Sequence, residues 1–163
     1  MTELQNKILA LLKNDARLTG DKIAVMLGAD KKKVAEEIAL LEKSGVIVKY
    51  AALLNEEAVN AQRVEALIEV KVTPVKAKGF DSLAEEIYQF SEVQSLYLMS
   101  GAYDLAVFVA GNSLREVAAF VSEKLSVMDN VLSTATHFIL KKYKTEGVVL
   151  RGSESGKRMA VQP

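Results

Sequence analysis

The sequence predicts an α+β chain, an N-terminal winged helix-turn-helix followed by a ferredoxin-like β-α-β-β-α-β domain. Three observations carry this prediction. Residues 1–50 hold three short apolar stripes at helical spacing, closed by the β-branched run Val46-Ile47-Val48. From residue 64 the period changes to alternation, and strand-length and helical runs then follow in the order β-α-β-β-α-β. At the centre of that second half, two apolar runs are joined by the polar stretch Ser100-Gly101-Ala102-Tyr103-Asp104.

In the first domain, Leu4, Ile8, Leu11 and Leu12 share one helical face, and the helix ends near Asn14-Asp15. Thr19 or Asp21 caps a second helix carrying Ile23, Ala24 and Leu27, with Met26 expected to pack inside it, and Gly28 stops it. Asp30 caps a third helix whose buried stripe is Val34, Ile38 and Leu41; Lys43-Ser44-Gly45 ends it, and residues 46–50 read as a strand. Three helices and a strand pack naturally as a winged helix-turn-helix, with Leu27-Gly28-Ala29 as the turn and helix three offered to the DNA major groove. A trihelical unit used only for dimerisation needs the same apolar spacing, so both readings stand at this point.

The third helix opens with Lys31, Lys32 and Lys33, which reach phosphates but oppose the helix dipole. Arg17, Lys22 and Lys49 are the further candidates for backbone contact. Glu36, Glu37 and Glu42 follow on the helix, and it has no arginine for a bidentate contact with guanine. Double-stranded DNA is therefore expected to be held through phosphates, shape and avidity.

Residues 51–63 form the linker, with a short helical segment near Leu53 to Glu57. The second domain spans residues 64–143. Its first strand alternates from Val64 to Val72 and stops at Pro74. Phe80, Leu83, Ala84, Ile87, Tyr88 and Phe90 mark a helix, and residues 93–99 and 105–110 form the central hairpin. Ser113 opens a second helix, and Asp129-Asn130 turns into a long last strand over residues 131–143. The sheet face away from the helices is expected to hold Leu67 with parts of Leu96, Met99, Val107, Val109 and Phe138. So much apolar surface predicts a homodimer through this domain. Residues 144–163 form the tail: Val148 to Leu150 is a candidate edge strand, and the last ten residues are too polar to order.

The polar turn has two readings. Gly101 frees backbone N–H groups and Tyr103 and Asp104 present a hydroxyl and a carboxylate to a ligand, or Gly101 only supplies an unusual dihedral and Asp104 only caps the turn.

Composition narrows the function. The 163 residues carry 21 basic and 21 acidic side chains, so no global field draws nucleic acid or membrane. Residues 1–50 hold nine basic against seven acidic residues, and residues 64–142 hold seven against ten. The absence of cysteine excludes disulfides and thiolate metal sites. His137, the only histidine, has no ligand-spaced companion, and Glu36-Glu37 and Glu85-Glu86 are adjacent helical pairs that diverge. No glycine-rich phosphate loop, signal-peptide run or bilayer-spanning stretch is present. A cytoplasmic, non-enzymatic protein without metal or cofactor is expected.

These residues together resemble the Lrp/AsnC family of transcription regulators over nearly the whole chain. Ile8 to Leu12 with Asp15-Ala16-Arg17, Ile23-Ala24 to Leu27-Gly28, Val34 to Leu41 and Gly45-Val46-Ile47 are similar to its helix-turn-helix. Gly101-Ala102-Tyr103-Asp104 resembles its Gly-x-Tyr-Asp turn, and Val131, Thr134-x-Thr136 and Ile139-Leu140 resemble its last strand. The resemblance implies a DNA-binding regulator whose dimers assemble further, often into octamers. It also implies an amino acid or related small metabolite as effector, near Gly101, Tyr103 and Asp104 with Thr134 and Thr136 close by. Three positions depart from the family pattern: Glu37 where arginine is common, Leu40 where a basic residue is, and Gln5 where the first helix usually has Asp. Glu37 and Leu40 motivate an alternative, a metabolite-binding oligomer with weak or lost DNA recognition. A small-molecule enzyme, which would need an acid/base pair converging on Tyr103 and Asp104, is the more distant one.

Overall fold

A computed structural model describes residues 1–60, 62–73 and 80–150. The chain divides into two units, Met1–Leu54 and Asn55–Pro163. The strand stop expected at Pro74 and the polar tail after Leu150 lie outside the described residues.

In the first unit, α1 (Glu3–Asn14) starts in a capping box: Thr2 Oγ1 accepts from the Gln5 N–H at 3.2 Å, and Gln5 Oε1 accepts from the Thr2 N–H at 2.8 Å. Thr19 rather than Asp21 caps α2 (Gly20–Leu27), accepting from the Lys22 N–H. Gly28 ends that helix at φ 60°, a left-handed conformation that side chains with a Cβ rarely adopt. Asp30 caps α3 (Lys31–Lys43) by accepting from the Lys33 N–H at 2.9 Å. Ile8, Leu12, Ile23, Ala24, Val34 and Leu41 are buried together, with Leu4, Leu11 and Ile38 packed against them. Each buried isoleucine or leucine contributes roughly 1.5–3 kcal/mol by leaving water.

Two expectations for this unit are corrected. Residues 46–50 form no strand. The N–H groups of Val46 and Ile47 both bond to the Leu41 carbonyl at 3.0 Å, and no second strand of the unit is available to pair with them. Met26 is 57% exposed, because Ile23, Ala24 and Leu27 take the inward face of α2 and leave Val25 and Met26 outside.

The second unit opens with the four-residue helix α4 (Glu56–Val59), somewhat later than the sequence pattern suggests. Then follow β1 (Val64–Val72), α5 (Asp81–Ile87), β2 (Val93–Leu98), β3 (Leu105–Gly111), α6 (Leu114–Ala119) and β4 (Val131–Phe138). Helix α6 continues into a π-helical segment, Phe120–Leu125. The sheet has the order β2-β3-β1-β4 and every pairing is antiparallel, as expected for β-α-β-β-α-β connectivity. Ala66, Ile68, Val70 and Val72 form its buried row with Leu105, Val107 and Val109, under Leu83, Ile87, Val117, Phe120 and Leu125 of the helical layer.

Register assigns the faces. Val107 and Val109 lie opposite Ile68 and Ala66, and Leu96 lies opposite Val107, so all three belong to the helix-covered side. Phe138, opposite Ala66, belongs there too. The open face instead carries Leu67, Phe108 and Tyr97, with the two rings edge-to-face at 5.9 Å, and is interrupted by charge: His137 Nε2 stands 3.4 Å from Glu69 Oε1. Tyr88 is more than half exposed rather than part of the buried stripe.

The last strand is shorter than predicted. The Ile139 N–H bonds to the Glu65 carbonyl at 2.8 Å, and β1 begins just before that residue, so β4 loses its partner. The chain then forms its own hairpin, β5 (Lys144–Thr145) with β6 (Val148–Val149). Its two-residue turn has Glu146 at φ 49° and Gly147 at φ 84°, both left-handed as tight hairpins require. Among the described residues no helix is long and apolar enough to cross a membrane.

Candidate nucleic-acid interface and ligand turn

Helix α3 follows the turn at Gly28 and buries Val34 and Leu41, which leaves Lys32, Lys33, Ala35, Glu36, Ala39, Leu40 and Lys43 exposed. The six predicted DNA-contact residues divide into two groups. The side chains of Lys22, Lys32, Lys33 and Lys49 have no ion-pair or hydrogen-bond partner among the described residues. Lys31 stands 3.5 Å from Asp21. Arg17 is held by Asp15, donating from Nε at 2.9 Å, Nη2 at 3.1 Å and its backbone N–H at 3.0 Å. Those donors lower the Asp15 pKa to about 2, and the same bonds raise that of Arg17. Both pairs are exposed and weak, but each reduces the free charge its cation offers a phosphate.

The acidic residues of α3 are sorted as well. Gln5 Nε2 donates to Glu37 Oε2 at 2.8 Å, and the Tyr50 hydroxyl donates to Glu42 Oε1 at 2.9 Å. Loss of solvent, followed by the bond to Glu42, raises the Tyr50 pKa. Glu37 is therefore turned toward α1. No local pattern announces this contact, since its partners lie 32 residues apart.

In the second unit, the turn at residues 100–104 joins β2 to β3. The Met99 N–H bonds to the Asp104 carbonyl at 2.8 Å, and the Asp104 N–H bonds to the Val70 carbonyl at 3.0 Å. Asp104 Oδ2 accepts from the Val72 N–H at 2.9 Å, which commits one carboxylate oxygen to the sheet. The N–H groups of Gly101, Ala102 and Tyr103 carry no hydrogen bond among the described residues, and neither does the Tyr103 hydroxyl. Gly101 is not left-handed and an added Cβ would meet open space, so the chain's own backbone does not demand glycine there.

Thr134 and Thr136 lie opposite Val70 and Ile68, on the other side of β1 from the turn and on the helix-covered face. Thr134 Oγ1 is 3.3 Å from Ser126 Oγ. One strand thus separates the threonines from Asp104. A half-open cavity of about 360 Å³ lies between α5 and β2, lined by Phe80, Ala84, Tyr88, Leu96, Leu98 and Leu105; it includes none of the predicted effector residues.

Sequence reasoning missed a charged cluster on the helical layer. Lys124 Nζ lies 2.5 Å from Glu92 Oε1 and over the Phe90 and Phe120 rings, 5.3 and 6.0 Å from their centroids. The Lys124 hydrogen bond holds the Glu92 pKa below its ordinary value. The π-helical turn that presents Lys124 has no signal in the apolar spacing.

A capped helix-turn-helix and an α+β domain with a four-stranded antiparallel sheet define the class: a helix-turn-helix module joined to a ferredoxin-like one. Two family profiles match in the same order, a winged helix-turn-helix DNA-binding profile over residues 1–48 and the Lrp/AsnC ligand binding domain over residues 65–149. The uncharacterized HTH-type transcriptional regulator YugG of Bacillus subtilis is 48% identical, over 100% of this chain and 99% of that protein. An uncharacterized HTH-type transcriptional regulator of Pyrococcus furiosus is 33% identical over 85% of this chain and 91% of its own. Among solved structures, a transcriptional regulator of Neisseria meningitidis in complex with L-Met is 25% identical with a TM-score of 0.73, covering 89% of this chain and 93% of that one. Escherichia coli AsnC shares the fold, with a TM-score of 0.72 at 19% identity over 91% of this chain and 97% of that one. The chain belongs to the Lrp/AsnC family. It is a DNA-binding transcriptional regulator with an Lrp/AsnC-type ligand-binding domain.

Proposed function

We propose that this regulator acts in the cytoplasm as a homodimer or higher oligomer and changes its hold on double-stranded DNA when an amino acid or related small metabolite binds. The observation that carries the DNA half is the pair of unpartnered, exposed cations Lys32 and Lys33 in the first turn of α3, a helix on which two of the three carboxylates, Glu37 and Glu42, are hydrogen-bonded within the protein. Lys22 and Lys49 add charge without a direct ion pair; Arg17 and Lys31 must first exchange theirs for a phosphate. Gln5 engages Glu37, and this supports reading that carboxylate as a packing contact of α3 with α1.

For the effector half, three free N–H groups suit a carboxylate, and the remaining Asp104 oxygen suits an ammonium. The likeness to a protein solved with L-Met supports this ligand class. Gly101, Tyr103 and Asp104 form the contact set; Thr134 and Thr136 act from across β1. The open sheet face around Leu67, Phe108 and Tyr97 is the dimer surface, where burial of the rings and Leu67 drives association.

The test combines selection of bound sequences from random duplexes with a panel of L-amino acids added to the selected DNA. A recovered motif whose affinity shifts with one amino acid supports the reading. A motif unaffected by any of them removes the effector assignment, and no retention of DNA at low salt removes the DNA-binding role.

A further inference from the structure

Among the three carboxylates of α3, only Glu36 has no partner among the described residues; Glu37 bonds to Gln5 and Glu42 to Tyr50. It stands two positions from buried Val34, which at 3.6 residues per turn is about 200° around the helix from the buried stripe. Beside it and one turn further along are small or apolar residues: Ala35 and Ala39 are exposed, and Leu40 is 55% exposed. Lys32 and Lys33 precede it, and Lys43 closes the same outer face.

We infer that Glu36 with Ala35, Ala39 and Leu40 is the base-reading set, and that the preferred DNA site presents a cytosine flanked by thymines. This rests on α3 being the helix that enters the major groove. A carboxylate among phosphates is repelled unless it gains a hydrogen-bond donor, and the cytosine N4 amino group is the donor a carboxylate pairs with in that groove. A guanine in the same place would turn its O6 and N7 acceptors toward Glu36, so the side chain also rejects the reverse base pair. The two alanines let the helix approach the base edges, and their methyl groups and the Leu40 side chain match the 5-methyl groups of thymine. The lysines supply attraction that does not depend on sequence. Recognition here uses an acid and methyl contacts in place of an arginine fork.

The experiment selects sequences from random duplexes with the full-length wild type, Glu36→Ala and Glu36→Gln, after thermal melts have established that the exposed substitutions leave the fold intact. The wild-type motif should contain a cytosine column that flattens in Glu36→Ala and moves toward adenine in Glu36→Gln, the other columns being unchanged. On the selected duplex, Glu36→Ala should lose about tenfold in preference for cytosine, the scale of one base contact. Uracil in place of the flanking thymines should weaken wild-type binding severalfold. A motif shared by all three proteins, or indifference to uracil, overturns the assignment while leaving DNA binding intact. Phosphate-only binding without a motif overturns it too, and failure to retain any DNA at low salt overturns the function itself.

Discussion

Gln5 and Glu37 are hydrogen-bonded across the first unit, Nε2 to Oε2 at 2.8 Å, and the other end of the same Gln5 amide accepts the Thr2 N–H. One side chain thus completes the capping box of α1 and holds the middle of α3. Two of the three positions at which the resemblance is imperfect are thus partners.

Glu37→Ala should lower the stability of this unit by about 1 kcal/mol, the usual net value of such a bond, and Gln5→Ala should cost more, because it also removes the acceptor of the Thr2 N–H. The double substitution should cost little more than Gln5→Ala alone. Denaturant unfolding of the four proteins in a double-mutant cycle measures this, and simple additivity would show that the bond contributes nothing.

The unpartnered lysines should matter more for DNA than the engaged arginine. Replacing Lys32 and Lys33 by Ala should weaken binding to all duplexes alike and flatten the dependence of log affinity on log salt by about 2, one unit for each phosphate no longer neutralised. Arg17→Ala should have a smaller effect, because Asp15 already holds the guanidinium. Titrations at several salt concentrations separate the two cases; equal effects would mean that Arg17 leaves Asp15 on binding.

Asp104 has a structural task and a proposed ligand task, and substitution divides them. Asp104→Ala leaves the Val72 N–H without its acceptor and should cost about 1–3 kcal/mol of stability. Asp104→Asn keeps an oxygen for that N–H and removes the charge that would meet an ammonium. It should melt near the wild type while losing response to an amino acid in calorimetry. Equal ligand affinity in Asp104→Asn would restrict this carboxylate to its turn.

The Lys124–Glu92 pair sets a pH dependence of known sign. The Glu92 pKa is lowered in the folded protein, so its contribution is fully present above the ordinary carboxylate value and disappears as pH falls through the lowered folded value. The stability gap between wild type and Lys124→Met should therefore be widest near neutrality. It should narrow in acid to what the weakened packing on Phe90 and Phe120 accounts for. Melts from neutral pH into acid test this; a gap independent of pH would assign the whole effect to ring packing.

The proposed dimer surface is tested on the open sheet face. Leu67→Glu adds a third carboxylate to the β1 row that already carries Glu65 and Glu69, and should shift the protein to monomer in sedimentation. Retained oligomers would move the interface elsewhere.

Much of this was legible in the chain. Val64 to Val72 alternates so regularly that strand, face and burial follow from period alone, and Thr19, Gly28 and Asp30 each act through bonds to residues only a few positions away. The turn at Ser100 to Asp104 stands out because its polar residues interrupt two apolar runs. Other features were illegible. Residues 46–50 have strand composition but no strand to pair with, and Val107, Val109 and Leu96 could be assigned to a face only once their partners on the neighbouring strand were fixed.

The sequence by itself determined the Asp30 cap, the stop at Gly28, the β-α-β-β-α-β order and the family, because periodicity, capping and turns act over a few residues and persist whatever surrounds them. Tertiary structure decided which polar groups remain free. Glu37 is bound and Glu36 is not, Arg17 is engaged and Lys32 is not, and Asp104 gives one oxygen to Val72 and keeps the other. These outcomes depend on pairs such as Gln5 and Glu37, or Val72 and Asp104, 32 positions apart in each case. A hydrogen bond is settled by distance and direction in space, and only folding supplies those.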